Sequence, residues 1–339
     1  MSVDTSRPMR RRRRLLYGVL GLAVASFLIL SPSPIEEQFW ALLAPVKLIR
    51  PVTAARSFEP PRRVFLITFD GLSIPLFEAA APPTLVDLSR DGRVATSAKT
   101  VADSTLESHA ALVAGLPPDK NGLDTHTYRP WSRFRTTTLF GLCARSGLRC
   151  GLIAEKEKLA AIAVNEPGVT HFECVHGSRA VLDAALAYVR TDDPDFVMIH
   201  LGDTDGVGHR AGWASAEQRA VLLRMDQELA GFLVQASSAR ARPLSILITA
   251  DHGGWNKRHW SGEPWVDRVP WILWGDGVVP GKLPAEISVL DTAPTLAALL
   301  GLAAPAEWEG TSRVETPGVG AVLDGGQVPP NDGPSANPG

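Results

Sequence analysis

Cysteine is scarce in this chain, and charge of either sign is nearly balanced. Cys143, Cys150 and Cys174 are the three cysteines among 339 residues. No two have the C-x-x-C spacing of a zinc ribbon or a redox pair, which excludes both. In an oxidising compartment Cys143 and Cys150 could pair across a helix-to-strand turn, leaving one thiol over; equally, all three can serve as small buried hydrophobes. Lys and Arg total 34 against 36 Asp and Glu, a formal charge of −2. No bulk electrostatic case for a nucleic-acid polymer as partner exists at that balance. An internal repeat is also lacking.

Long uncharged apolar stretches are few, and the longest lies near the start. Arg10 to Arg14 form an unbroken basic run, and no charge follows from Leu15 to Ile35. The apolar core ends at Leu30 and reaches about 24 Å as a helix, a little short of the ~30 Å of bilayer hydrocarbon. A signal peptide shares the basic start and apolar centre, and a twin-arginine signal matches loosely. Only Ser31-Pro32-Ser33-Pro34 follows the run, with no small-x-small cleavage site, which favours an uncleaved single-pass anchor. The expected division is a basic cytoplasmic segment over 1–14, a transmembrane anchor or signal peptide over 15–34 and a juxtamembrane spacer over 35–60. An extracytoplasmic catalytic domain over 61–312 and a disordered tail over 313–339 complete it. Trp40 in the spacer is placed at the level of the lipid headgroups.

Strands and helices alternate from Arg62 onward. Val64–Phe69, Phe196–Leu201 and Leu244–Thr249 are continuous apolar runs, as expected of strands buried on both faces. Val269–Trp274 carries Pro270 and is expected nearer an edge. Helices are expected over Thr105–Ala114, Thr136–Arg145, Ser178–Arg190, Ala216–Ser237 and Thr295–Leu300. The alternation predicts one α/β domain, a three-layer α/β/α sandwich around a largely parallel sheet.

Residues with metal-ligand and nucleophile chemistry collect where the expected strands run out, the edge at which open α/β sheets bind ligands. Asp70-Gly71 follows the first strand. Asp203-Thr204-Asp205-Gly206-Val207-Gly208-His209 follows the second and reads as a tight glycine loop, in which Asp205 and His209 can converge on one cation. Asp203 is the spare carboxylate. Asp251-His252-Gly253-Gly254 follows the third strand, and His259 stands seven residues on. Asp103-Ser104-Thr105-Leu106-Glu107-Ser108-His109 opens a helix; Ser104 or Thr105 is there either an N-cap or a hydroxyl nucleophile placed where free N–H groups favour phosphate. Three carboxylates, three imidazoles and a hydroxyl exceed what a fold needs, and burying them together is costly without cations.

This ordered set resembles the alkaline phosphatase superfamily, in particular its nucleotide pyrophosphatase/type I phosphodiesterase branch. The matching pieces are Phe69-Asp70-Gly71, Ser104-Thr105-Leu106-x-Ser108-His109, Asp205-x-x-Gly208-His209, Thr249-Ala250-Asp251-His252-Gly253 and His259, spanning roughly Arg62 to Ser312. The resemblance implies two zinc ions, with manganese as runner-up. Asp205, His209 and His259 would hold one; Asp70, Asp251, His252 and Thr105 would hold the other. It further implies Thr105 as nucleophile toward a phosphate diester before a monoester, in a small molecule or lipid headgroup. Leu106 and His126 would contact substrate, His126 standing where nucleotide-cleaving members carry an asparagine. Glu107 replaces a common proline, and Trp260 follows His259 where glycine is usual. A sulfatase would need Cys/Ser-x-Pro-x-Arg, which none of the three cysteines satisfies. A headgroup transferase would be expected to have several membrane spans, and a pseudoenzyme to have lost a ligand.

Overall fold

The computed structural model describes residues 34–57, 60–239, 242–284 and 287–314. Among them nine strands form one sheet: β1 (Lys47–Ile49), β2 (Arg63–Phe69), β3 (Arg93–Lys99), β4 (Cys150–Ala154), β5 (Val169–Cys174), β6 (Phe196–Leu201), β7 (Leu244–Thr249), β8 (Arg268–Gly275) and β9 (Gly281–Lys282). Their order is β1-β5-β4-β6-β2-β7-β8-β3-β9. The central run β5-β4-β6-β2-β7 is parallel throughout. Every residue of β2, β6 and β7 is buried, as their unbroken apolar sequences require. One set of helices (74–80, 83–91, 178–192, 203–211 and 216–238) packs together on one face; another, including 105–114, 139–145 and 292–299, covers the other.

Register is what brings the strand ends together. Thr68 of β2 lies opposite His200 of β6 on one side and Thr249 of β7 on the other. Asp70 and Asp251 therefore leave the sheet at one level, where the helix bearing Asp205 begins. Gly71 follows with φ +73°, a turn that an L side chain rarely adopts, and an added Cβ there would stand 3.2 Å from the Trp213 ring. The chain can thus reverse directly after Asp70.

Strand β8 is not at an edge; β3 and β9 lie beyond it. Pro270 is tolerated because both ladders are interrupted at its position. The β7 pairing ends at Ile248–Ile272, and β3 bulges between Ala95 and Ala98, opposite Val269–Trp271.

The N-terminal expectations need two corrections. Among the described residues no helix is long and apolar enough to cross a membrane. The single-pass, membrane-anchored localisation is accordingly withdrawn; the apolar run that suggested it lies outside the described residues. The stretch expected as a spacer is instead built into the sheet. Pro34–Leu43 is a helix, Trp40 is buried with its ring edge-on to Trp131 at 4.7 Å, and β1 adds antiparallel to β5. Lys47 pairs with Glu173 at 2.6 Å, and the Arg50 guanidinium donates to the Ala163 carbonyl at 2.6 Å. At the other end Arg313 pairs with Asp291 at 2.6 Å; the tail from 315 lies outside the described residues. The three cysteines are buried free thiols.

Glu166 is a buried carboxyl that burial pushes up to about 7, against a hydrogen bond to Thr138 and the charge of Arg145. The fold therefore favours its protonated form, and the associated stability is present at low pH and lost as pH rises from about 4.5 through about 7. The upper bound is about 3 kcal/mol. Glu166→Gln should raise the melting temperature by several degrees at pH 8 and leave it nearly unchanged at pH 4, as read by thermal denaturation at the two pH values.

Candidate metal and phosphoryl-transfer site

The strand ends, one helix N-terminus and the 252–259 loop bring the expected residues to one place. Asp70, Asp251 and His252 are fully or almost fully buried; Asp205 and Thr105 are nearly so. Thr105 opens the helix Thr105–Ala114, and its hydroxyl donates to Asp70 Oδ2 at 3.5 Å. Ser104 is the N-cap residue but makes no capping bond, and its buried hydroxyl has no partner among the described residues. The first amides of this helix lack intrahelical acceptors and face outward from its N-terminus. The Leu106 side chain is wholly buried, so any part it takes in binding falls to its main-chain N–H.

Asp205 and His209 do not lie on a loop. They share one face of the helix Asp203–Ala211, four residues apart, with His209 Nε2 at 3.3 Å from Asp205 Oδ1. Gly206 and Gly208 disfavour helix locally; tertiary packing overrides them, since a Cβ at Gly208 would stand 2.7 Å from Gln218 and 3.0 Å from Trp213. Asp203 faces elsewhere, accepting from Arg224 at 2.7 Å and from the Ser178 amide at 3.3 Å.

All three candidate imidazoles are turned the same way. His252 Nδ1 donates to the Gly253 carbonyl, His209 Nδ1 to that of Lys257 and His259 Nδ1 to that of Asp103. Each Nε2 lone pair is left facing carboxylate oxygens. His252 Nε2 lies 3.5 Å from both Asp70 Oδ1 and Asp251 Oδ2, and His259 Nε2 lies 3.8 Å from Asp205 Oδ1. Acceptor facing acceptor repels unless a cation stands between. Asp70 Oδ1, Asp205 Oδ1, Asp251 Oδ2 and His252 Nε2 are buried without a hydrogen-bond partner among the described residues. Two ligand groups follow, Asp70/Asp251/His252 and Asp205/His252/His259, with His209 beside the second.

Protons alone meet this need poorly. Burial works against a charged His252, yet Asp251, Asp70 and Asp205 raise its pKa. Its ring stacks on His259 at 3.9 Å, and burial together with His252 presses His259 down to about 4. Burial and the neighbouring Asp70 push the Asp251 carboxyl up. The donor set therefore fits divalent cations.

Two participants, Lys156 and His200, escaped sequence reasoning, and His109 appeared there only as part of a motif with no role assigned. Lys156 reaches in from the end of β4, its Nζ 2.6 Å from Asp70 Oδ2, 2.7 Å from Asp205 Oδ2 and 3.2 Å from Thr105 Oγ1. Burial disfavours its charge, but Asp70, Asp205 and Asp251 outweigh that and raise its pKa. His200, the one imidazole in an apolar strand, accepts from the Glu155 amide through Nδ1 and donates to Asp70 Oδ2 at 2.9 Å. His109 donates to the Thr105 carbonyl at 2.6 Å and accepts from Thr68. A polar ring interrupting a buried strand was the available signal for His200; Lys156 had none.

A cleft of about 460 Å³ opens over Thr105, lined also by Glu37, Lys156, Lys158, His126 and Trp260. His126 is mostly exposed on its wall, 3.7 Å from Glu107. A second hollow of about 530 Å³ shares Asp103 with the cleft and is lined by none of the candidate ligands.

Comparison with known proteins agrees with this geometry. Residues 156–269 match the type I phosphodiesterase / nucleotide pyrophosphatase family model. Human ectonucleotide pyrophosphatase/phosphodiesterase family member 7 is 25% identical over 219 residues, covering 56% of this chain and 47% of that protein. A 2,3-bisphosphoglycerate-independent phosphoglycerate mutase from Moorella thermoacetica is 35% identical over 142 residues, 40% of this chain and 26% of the mutase. The chain thus spans less than half the length of either relative. Among solved structures, murine ectonucleotide pyrophosphatase/phosphodiesterase 5 superposes with a TM-score of 0.59 at 13% identity, covering 72% of this chain and 96% of that one. A 2-O GAG sulfatase gives 0.58 at 17%, covering 75% and 73%. The fold is that of the alkaline phosphatases, with a largely parallel central sheet. Residues 156–269 thus resemble the type I phosphodiesterase/nucleotide pyrophosphatase family, and the fold as a whole is shared with the solved ectonucleotide pyrophosphatase/phosphodiesterase and sulfatase structures.

The two aspartates of the 203–211 helix separate ligand from neighbour. Asp205→Asn should lower the bound-metal content by about one ion per chain, because a charged ligand is lost, whereas Asp203→Asn should leave it unchanged. Metal analysis after dialysis reads the difference, and loss only in the Asp203 variant would place the ligand wrongly.

Proposed function

We propose that this protein is a metal-dependent hydrolase of phosphate esters, of phosphodiesterase type, with Thr105 as its nucleophile. One observation carries the reading: the Thr105 hydroxyl stands at a helix N-terminus on the floor of the cleft, beside carboxylates whose free oxygens face imidazole lone pairs. The nitrogen and carboxylate donors suit two zinc ions, with manganese second. Asp70, Asp251, His252 and Thr105 would hold one ion, and Asp205, His209 and His259 the other. When bound, such ions supply Lewis-acid neutralisation of phosphate charge.

The chain's own residues account for the remainder. Thr105 Oγ attacks phosphorus as its proton passes toward Asp70 Oδ2, the carboxylate to which it donates. The bond from phosphorus to the leaving oxygen breaks, and a solvent proton completes the departing alcohol. Water then attacks the phosphoryl-threonine, releasing phosphate or its monoester and restoring the hydroxyl. The Leu106 N–H at the helix start suits a non-bridging oxygen. His126 on the cleft wall is placed to meet the leaving group rather than a metal. The substrate class is a small phosphate ester, nucleotide or lipid headgroup, diesters before monoesters. Murine family member 5, a fold relative, has been solved in an inactive form with AMP, which suits that class.

Thr105→Ala should lower turnover by at least about a thousandfold, while zinc content and melting temperature stay near wild type. Thr105→Ser should keep part of the rate. Retention of activity within a few-fold in the alanine variant would move the nucleophile to Ser104. Treatment with a chelator should abolish hydrolysis of a chromogenic diester and lower the melting temperature, because the buried carboxylates lose their counter-ions. Added zinc should restore both.

A further inference from the structure

We propose that Lys156 is a catalytic residue, its ammonium hydrogen-bonding a non-bridging oxygen of the phosphoryl group held at Thr105; this rests on the phosphate-ester reading above. The sequence places Lys156 directly after β4, where nothing in its neighbours marks it as functional. The structure fixes its backbone through the preceding residue: Glu155 Oε2 accepts from the Gly202 amide at 2.7 Å and from the Ser178 hydroxyl at 3.2 Å. The side chain then crosses from the β4 end to the centre of the site and forms part of the cleft wall.

Its contacts divide the two aspartates by atom. Lys156 takes Oδ2 of Asp70 and Oδ2 of Asp205. The imidazole lone pairs converge on the other oxygens: His252 on Asp70 Oδ1, and His209 and His259 on Asp205 Oδ1. Those Oδ1 atoms are the ones left buried without hydrogen-bond partners among the described residues. An ammonium merely filling the place of a missing metal would sit on the imidazole side. Lys156 contacts the Oδ2 atoms instead, so ligand and lysine use different oxygens of one carboxylate and can be present together.

An ammonium has three donors. One is directed to Asp205 Oδ2 at 2.7 Å and another to Thr105 Oγ1 at 3.2 Å, while Asp70 Oδ2 is an ion-pair partner at 2.6 Å. Once Oγ carries a phosphoryl group, the non-bridging oxygens lie next to Oγ, within reach of that same N–H. The buried Ser104 hydroxyl, without a partner among the described residues and in the same cleft wall, is available to a second oxygen. A fixed positive charge at this position favours a phosphoryl group with two negative charges over one with a single charge. Inorganic phosphate, the doubly charged hydrolysis product of a monoester, is therefore the direct probe. No proton is transferred in this role; the ammonium only donates.

The test compares zinc-loaded wild type, Lys156→Met, Lys156→Gln and Lys156→Arg by metal analysis, by calorimetric titration with inorganic phosphate, and by turnover of chromogenic mono- and diesters. The expected result is unchanged zinc content in all four. Phosphate affinity should fall roughly ten- to a hundredfold in the Met and Gln variants, as for a lost charge-assisted hydrogen bond, with part regained in the Arg variant. Monoester turnover should fall more than diester turnover. The glutamine variant serves if the methionine variant does not fold. Unchanged phosphate affinity, absence of phosphate binding by wild type, or higher zinc content without loss of phosphate binding would overturn the proposal. Wild type that binds phosphate through Lys156 but turns over no ester would leave this contact standing and remove the hydrolase reading instead.

Discussion

Carboxylate oxygens and imidazole lone pairs pointing at one another in a buried space repel, and only cations can make them attract. This constraint organises the molecule. Asp70, Asp205 and Asp251 are all held at the carboxyl edge of the sheet with little access to water that could screen them. Desolvation is costly for each, so the surroundings supply compensation from several directions. His200 and Lys156 take one side of Asp70, and the Gly71 amide donates to Asp251 Oδ1 at 3.1 Å. The opposite oxygens remain for ions.

The sheet makes this concentration possible. Parallel strands deliver their C-terminal ends to a common edge, and in-register pairing of β2 with β6 and β7 aligns those ends. Apolar side chains on both faces of the three strands fix that register, because slipping by one residue would move every side chain to the other face. The helix bearing Thr105 belongs to one of the two helical layers, and the His109 bond to Thr68 ties the start of its second turn to β2. The Thr105 hydroxyl and the Asp70 carboxylate are therefore positioned from two elements of one rigid framework rather than by a mobile loop.

Much of this was legible in the sequence where a single local signal sufficed. The strands at 64–69, 196–201 and 244–249 announce themselves by unbroken apolar runs, and the ligands follow them directly. Other features depend on partners remote in sequence. The short strands β1 and β9 carry no periodicity to detect; their identity comes from the neighbours they pair with. Glycines at 206 and 208 suggest a loop, because local propensity cannot register the packing of Trp213 and Gln218 against Gly208. The depth of Pro270 in the sheet depends on a bulge in another strand. Lys156 is the sharpest case: lysine is ordinarily a surface residue, and only the convergence of β4 with β2 and β6 makes it central.

The pairing of β1 with β5 changes what counts as the functional unit. Without the residues from 34 to 49, β5 becomes a free edge with a row of open amides and carbonyls, the geometry that invites strands from other molecules. Trp131 would lose its cover from Trp40, and Lys158 its carboxylate partner Glu37 on the wall of the cleft. A fragment begun at the first buried central strand would therefore be prone to edge-to-edge association and would present a reshaped, more positively charged entrance. The segment that seems a mere lead-in by sequence is a wall of the cleft over Thr105 and a guard on the sheet.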